Sequence, residues 1–238
     1  MNTSVSVYNS ILMREALDDA LRPGGLTSTR DALEFMKLPD GSLVLDAGCG
    51  PGKTVDYLHN HGRHRVVGLD LNRDLLPANS FAPDSRIIFT CADTCHLPLG
   101  SGILDAVLCE CVLSLVSEAE HALAEFYRVL KKGGYLYYSD MFVRKNINPA
   151  LNNSCSSCLT RAESRQVLRK RLLGSGFKIL FEEDQSRLLK QTAGRLIFEY
   201  GSMEVFWQAI LGTKPGTDCA SQIQSQKPGY ISFLAIKD

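Results

Sequence analysis

Two kinds of hydrophobic pattern alternate along this chain. Short apolar runs rich in β-branched and aromatic residues fall at 43–46, 65–70, 85–91, 103–109, 135–140, 177–182 and 230–237 and read as strands. Between them, apolar residues return every three or four positions, the spacing of one helix face. Val7, Ile11, Leu17 and Leu21 give such a stripe near the N-terminus, closed by Arg22-Pro23-Gly24-Gly25. Thr27 or Ser28 is placed to cap a second helix, with Ala32, Leu33 and Met36 turned inward. A third helix begins at Val55-Asp56-Tyr57-Leu58. Ala119, Leu123, Phe126, Tyr127 and Leu130 form a fourth face behind a Ser117/Glu120 capping box, stopped by Lys131-Lys132-Gly133-Gly134. Thr160 and Glu163 predict another capping box, before a helix with Val167, Leu168 and Leu172 inward. The spacing from Leu188 to Ile197 is helical, and Ser202 caps a shorter helix bearing Val205, Phe206, Ala209 and Ile210. Residues 212–229 are polar, carry Gly and Pro, and read as a loop.

Strands alternating with helices predict the α/β class, a doubly wound sheet with helices on both faces. The apolar run at 103–109 suits a parallel strand covered on both sides. One domain over 1–238 is expected, with N-terminal helices at 1–38 and a helical cap and loop at 184–229 before the last strand. Phe206 and Trp207 could roof a pocket, but packing of their helix on the sheet explains them more simply.

Composition narrows the partners. The chain has 238 residues, 45% apolar and 22% charged, an ordinary soluble balance. A formal net charge of zero, with no long basic run, argues against nucleic acid or anionic membrane as the main partner. No apolar stretch reaches the length of a membrane span, and the polar 1–6 segment is no signal peptide. The cytoplasm is then the expected location, and the eight cysteines are expected as reduced thiols or ligands.

The chemistry concentrates at Leu43-Val44-Leu45-Asp46-Ala47-Gly48-Cys49-Gly50-Pro51-Gly52-Lys53-Thr54. A strand ending in a carboxylate turns sharply into a helix, and Gly48, Gly50 and Gly52 would let backbone amides and the helix N-terminus face a ligand. A phosphate-cradling loop needs G-x-x-x-x-G-K-[ST], and the position five before Gly52 is Ala47. A dinucleotide turn needs G-x-G-x-x-G, whereas the spacing here is G-x-G-x-G, with Asp46 placing negative charge where a pyrophosphate would sit. Asp70 ends the second strand, where an acid can accept from both ribose hydroxyls of a nucleoside. The D-x-G-x-G-x-G form resembles the first motif of class I S-adenosylmethionine-dependent methyltransferases. "Ala92-Asp93, then Leu97-Pro98" and "Arg128-Val129-Leu130-Lys131-Lys132-Gly133-Gly134" before a strand are similar to that superfamily's corresponding segments. The resemblance implies a Rossmann-like seven-stranded sheet whose last strand runs antiparallel beside the fifth. It implies S-adenosylmethionine as cofactor and S-adenosylhomocysteine as product, with Asp46, Ala47, Gly48, Cys49, Gly50, Gly52, Asp70, Leu71, Ala92, Asp93, Thr94 and Cys109 around the cofactor.

The cysteines bear on the methyl acceptor. Cys49, Cys91, Cys95, Cys109 and Cys111 fall at or just past the carboxyl ends of strands, the ligand edge of an open α/β sheet. Glu110-Cys111-Val112 resembles the "Asn-Cys-Val" element of arsenite methyltransferases, and Cys158 ahead of the helix to Gly176-Phe177 resembles their later cysteine. That resemblance implies a thiol pair, Cys111 and Cys158, holding a thiophilic acceptor. Glu110 in place of asparagine, the extra Cys109 and Cys155, and the missing small-residue run after the later cysteine depart from the pattern. A structural zinc site on Cys155, Cys158, Cys109 and Cys111 is an alternative, as is a set of buried thiols acting as small apolar residues, which explains Cys91 and Cys219. An oxygen, nitrogen or carbon acceptor would need a base, for which Glu110, Asp140, His96 and His121 are candidates, His121 on a helix surface. The expectation is a methyltransferase acting on a small molecule, with Cys111, Cys158 and Glu110 at the acceptor, no metal, and a monomeric or homodimeric chain. A cofactor- or metal-binding protein without turnover is the alternative from another class.

Overall fold

The structure, a computed structural model, describes residues 7–77, 86–144, 157–159 and 161–238. β1 (Leu43–Ala47), β2 (Arg65–Asp70), β3 (Ile87–Cys91), β4 (Leu104–Glu110), β5 (Leu130–Val143), β6 (Phe177–Asp184) and β7 (Pro228–Lys237) form one sheet. Its order is β3-β2-β1-β4-β5-β7-β6; β1 to β5 pair in parallel, and β7 runs antiparallel to both neighbours. The chain changes direction across the sheet between β1 and β4. The crevice at their carboxyl ends is the switch point where such sheets take ligands.

The described residues include eight α-helices: α1 (Ile11–Ala16), α2 (Thr27–Met36), α3 (Lys53–Gly62), α4 (Ala119–Val129), α5 (Arg165–Gly174), α6 (Ser186–Tyr200), α7 (Met203–Leu211) and α8 (Thr213–Gln226). Side-chain alternation along the strands divides them between two faces. Leu45, Leu69 and Val107 pack against Leu123 and Phe126 of α4 and Leu168 and Leu172 of α5. Val44, Val66 and Leu108 pack on the opposite face against Ala32 and Met36 of α2 and Val55 and Leu58 of α3. Most of these side chains are fully buried, each contributing about 1.5–3 kcal/mol relative to exposure. A third cluster joins the N-terminal segment to α6, α7 and α8 through Met13, Leu196, Phe206, Trp207 and Cys219.

Several local expectations are corrected. The N-terminal stripe is not one helix: a 3-10 turn at Val7–Asn9 precedes α1, which ends at Ala16, and Asp18, Asp19 and Leu21 adopt left-handed backbone. That break turns Arg22 into the interior, where it is 6% exposed, and leaves Ile11 outside. Leu26, not Thr27 or Ser28, precedes α2, and Ser28 and Thr29 are buried instead of capping. Glu118 precedes α4 without a side-chain cap, and Glu120 pairs with Arg171, 2.5 Å away, in place of the capping box. α4 passes straight into extended Leu130, so β5 begins before the Lys-Lys-Gly-Gly run and Lys131 pairs with Asp105 at 2.6 Å. Thr160 lies outside the described residues, as do Ser85, Cys155 and residues 1–6. Ser164 caps α5 by accepting from the Val167 N–H, and Val167 itself is exposed. Ser202 caps α7 in the same way, as expected. Residues 212–229 are not a loop: α8 occupies most of them, and Gly216 lies so close to α7 that a Cβ there would sit 2.4 Å from the Gln208 backbone. Glycine at that crossing lets a polar helix dock, a signal that reads in sequence as a loop.

Candidate active site

The glycine turn after β1 is fixed by sterics. Gly48, Gly50 and Gly52 have φ of 80°, 51° and 91°, the left-handed region that costs other residues about 1–2 kcal/mol. A Cβ on Gly48 would lie 2.2 Å from Val112, and one on Gly52 2.8 Å from the Phe89 ring. The expected presentation of turn amides to a ligand is corrected. Gly48 and Cys49 donate to the Leu69 carbonyl at 2.6 and 2.9 Å, Gly52 to the Cys49 carbonyl at 3.0 Å, and Gly50 to the Asp70 carboxylate at 2.8 Å. These glycines let Val112 and Phe89 pack against the turn, while the Gly48, Cys49 and Gly50 N–H groups tie it to the end of β2.

Above the turn lies a cavity of about 500 Å³. Asp46, Gly48, Cys49 and Gly50 line it from β1 and its turn, Asp70 and Leu71 from the end of β2, and Asp93 and Thr94 from the loop after β3. The other expected cofactor residues lie outside the lining. Ala47 and Cys109 are fully buried on the α4 face, as strand alternation dictates beside Asp46 and Glu110. Gly52 is packed under Phe89, and Ala92 packs against the α4-side core.

Beneath the cavity floor is a buried polar network that the sequence reading missed. The Arg22 guanidinium pairs with Glu110 at 3.0 Å and donates to the hydroxyls of Thr29 and Thr54 at 2.8 and 2.9 Å. Those hydroxyls donate onward to the two Glu110 oxygens, at 2.8 and 3.5 Å. Burial opposes the Arg22 charge, but Glu110 together with Tyr230, Asp46 and Cys111 outweighs it and holds the guanidinium protonated. Burial likewise raises the Glu110 carboxyl against Arg22 and the two threonines. With each charge answering the other, Asp46 is left without a cation of its own. Burial and the neighbouring Glu110 push it up to about 8, with Arg22 pulling the other way. Asp46 Oδ2 and Arg22 Nε are both buried and lack hydrogen-bond partners among the described residues. Asp70 differs: its two oxygens accept from the Gly50 and Asn72 N–H groups, both at 2.8 Å, while burial raises it.

Cys111 and Cys158 are brought together in one apolar cluster beside the cavity. Cys158 packs against the cluster that holds Cys111, and its thiol, with burial, raises the Cys111 thiol. Tyr8 joins them, accepting the Cys158 backbone N–H at 3.0 Å. Burial and both cysteines push the Tyr8 phenol well up. Cys111 lines the cavity and is held at φ 58°, a strained conformation for a non-glycine residue. The candidate bases fare otherwise. Both Glu110 oxygens are engaged in the Arg22 network. Asp140 accepts from the Ser114 hydroxyl and N–H and from the Met141 N–H; burial places it at about 6. His96 and His121 are largely exposed. Cys91 is exposed, against the expectation of a buried thiol, while Cys219 is buried. Among the described residues, no three His, Cys, Asp or Glu side chains are grouped to hold a metal ion, and no helix is long and apolar enough to cross a membrane.

Residues 45–138 match the methyltransferase-domain family model. Methyltransferase GfsG of Streptomyces halstedii is 28% identical over 154 residues, 63% of this chain and 55% of that one. An arsenite methyltransferase of Aquipseudomonas alcaligenes is 32% identical over 123 residues, 46% of this chain and 36% of that one. The chain spans about half the length, or less, of the curated relatives it matches. Among solved structures, the [4+2]-cyclase SpnF shares the fold with a TM-score of 0.72 and 22% identity, covering 95% of this chain and 92% of that one.

Proposed function

We propose that the protein, whose residues 45–138 match a methyltransferase-domain model, transfers a methyl group from S-adenosylmethionine to a small-molecule acceptor reaching the cavity beside Tyr8, Cys111 and Cys158. The observation that carries the reading is that Asp46 and Arg22 both line the cavity and each has a buried atom without a hydrogen-bond partner among the described residues, Asp46 Oδ2 and Arg22 Nε. They complement the ammonium and carboxylate of the cofactor's amino-acid end. Asp70 can accept from the ribose hydroxyls through its remaining lone pairs, and Asp93 and Thr94 face the adenine end of the same cavity. When bound, S-adenosylmethionine supplies an electrophilic methyl group on a positively charged sulfur.

The chain's own part is to hold, align and desolvate. Asp46 gives up its proton as a cation arrives, so binding is coupled to proton release. Arg22, anchored by Glu110, Thr29 and Thr54, cannot swing away. Glu110 is a positioning residue for Arg22, not a base. With Glu110 and Asp140 both bound internally, the acceptor is a soft centre that attacks through a lone pair without a general base. Cys111 and Cys158 hold such a thiophilic centre in line with the methyl group. The acceptor–methyl bond forms as the sulfur–methyl bond breaks, and a thiol acceptor loses its proton to solvent.

Titration calorimetry with S-adenosylmethionine, followed by labelled methyl transfer over arsenite, selenols, thiols and phenols, tests this reading. Formation of S-adenosylhomocysteine with a soft acceptor, lost in Cys111→Ala and Cys158→Ala at unchanged cofactor affinity, supports it. Binding without turnover on any acceptor favours a cofactor-binding protein. Turnover on phenols indifferent to both cysteines removes the thiol pair.

A further inference from the structure

A second cavity, of about 310 Å³, adjoins the first and shares Tyr8, Leu21 and Arg22 with it. Its walls come from parts of the chain far apart in sequence: Met13 and Leu17 near the N-terminus, Cys158 and Leu159, and Leu196, Phe206 and Trp207 of α6 and α7. The lining is mainly aliphatic and aromatic, with Tyr8 and Cys158 at the side nearer Cys111. The cavity is partly open to solvent, and its volume falls at the lower end of ligand pockets, about 300–1,000 Å³. Trp207 lines the chamber, and its buried indole N–H has no hydrogen-bond partner among the described residues. A buried donor without a partner is costly unless a ligand supplies an acceptor atom.

We infer that this chamber receives the non-reacting part of the methyl acceptor, which is therefore an apolar organic molecule with a soft nucleophilic head. The inference rests on the methyl-transfer reading above and narrows its substrate. The head lies at Cys111, Cys158 and Tyr8, facing the cofactor cavity. The apolar body passes the shared boundary at Leu21 into the chamber, where one oxygen or nitrogen can accept from Trp207. An inorganic oxyanion such as arsenite would meet the thiols yet leave the apolar walls unfilled.

Trp207 is the only tryptophan of the chain, so its fluorescence reports directly on the chamber. The full chain, with S-adenosylhomocysteine added, is titrated with straight-chain alkanethiols from ethanethiol to decanethiol, and separately with sodium arsenite. The expected result is a saturable change in emission whose midpoint tightens about fourfold per added methylene until the chamber is full. Arsenite leaves the emission unchanged. Ala193→Phe, which puts a ring into the chamber wall, weakens the longest thiol at least tenfold while cofactor affinity stays the same. Affinity independent of chain length, or an unresponsive Trp207, overturns the inference even if that variant fails to fold. A normal chain-length response with no cofactor binding overturns the methyl-transfer reading instead and leaves the chamber as an apolar site without an acceptor role.

Discussion

The proposed cofactor side and the proposed acceptor side of this molecule share a boundary at Arg22 but are built in opposite ways. On the cofactor side, Asp46, Asp70 and Asp93 each stand at or just after a strand end, and short local segments place them. On the acceptor side, Tyr8, Cys111, Cys158 and Trp207 come from the N-terminus, the β4 end, the 157–159 stretch and α7. A strand end with a tight turn can place a carboxylate by local geometry alone, whereas a chamber assembled from four distant segments depends on tertiary packing. The first kind of site suits a cofactor common to many proteins. The second can change its occupant by repacking a few side chains.

Substitutions at the boundary separate the halves most forcibly. Arg22→Leu leaves Glu110 buried and uncompensated and is expected to destabilise the fold by about 3–5 kcal/mol, read by thermal or urea unfolding. Adding Glu110→Gln is expected to recover much of that loss; a single variant as stable as the wild type would remove the network from the account. Gly48→Ala confronts both the φ of 80° and the Val112 side chain. It should cost about 2–4 kcal/mol in stability, with loss of cofactor binding. Asp46→Asn acts on one side alone: cofactor affinity falls by about 10–100-fold. The stability of the free protein at neutral pH does not fall, because the buried Asp46 carboxyl is then already protonated and uncharged. Cys158→Ala is the mirror case, abolishing transfer while the cofactor dissociation constant moves less than about twofold.

The pH dependence is the gentlest probe. Asp46 is raised in the folded protein to about 8, so between the unfolded carboxyl value and that point the folded state holds the extra proton. Its contribution to stability is full below the unfolded value and is lost as pH rises through about 8. Cofactor binding has the opposite sense, because it needs the ionised form: affinity rises with pH up to that value. Calorimetry at neutral pH in buffers of different ionisation enthalpy should register proton release that Asp46→Asn abolishes. An unchanged proton count in that variant would assign the release elsewhere.

The same contrast explains what could be read beforehand. All seven strands and the three carboxylates were legible, because a short apolar run ending in an acid carries its meaning locally. Arg22-Pro23-Gly24-Gly25 shows in sequence only the end of a helix, since nothing in it announces Glu110 or Thr54 as partners. The amides of the glycine turn were assigned to a ligand, but the sheet claims them through Leu69 and Asp70. The polar, glycine-bearing sequence of α8 has the marks of a loop and makes sense as a helix only against α7. The pairing of Cys111 with Cys158 came from resemblance, and spacing alone would not have supplied it. The chamber beside them had no sequence signal at all.

The central claim is that the cavity over the Asp46 turn takes a cationic nucleoside. Isothermal titration of the wild-type chain and its Asp46→Asn variant with S-adenosylmethionine tests it directly. The account predicts one molecule bound per chain in the wild type and an affinity lower by about 10–100-fold in the variant, with the fold intact. No binding to the wild type, or equal binding to both, would contradict it.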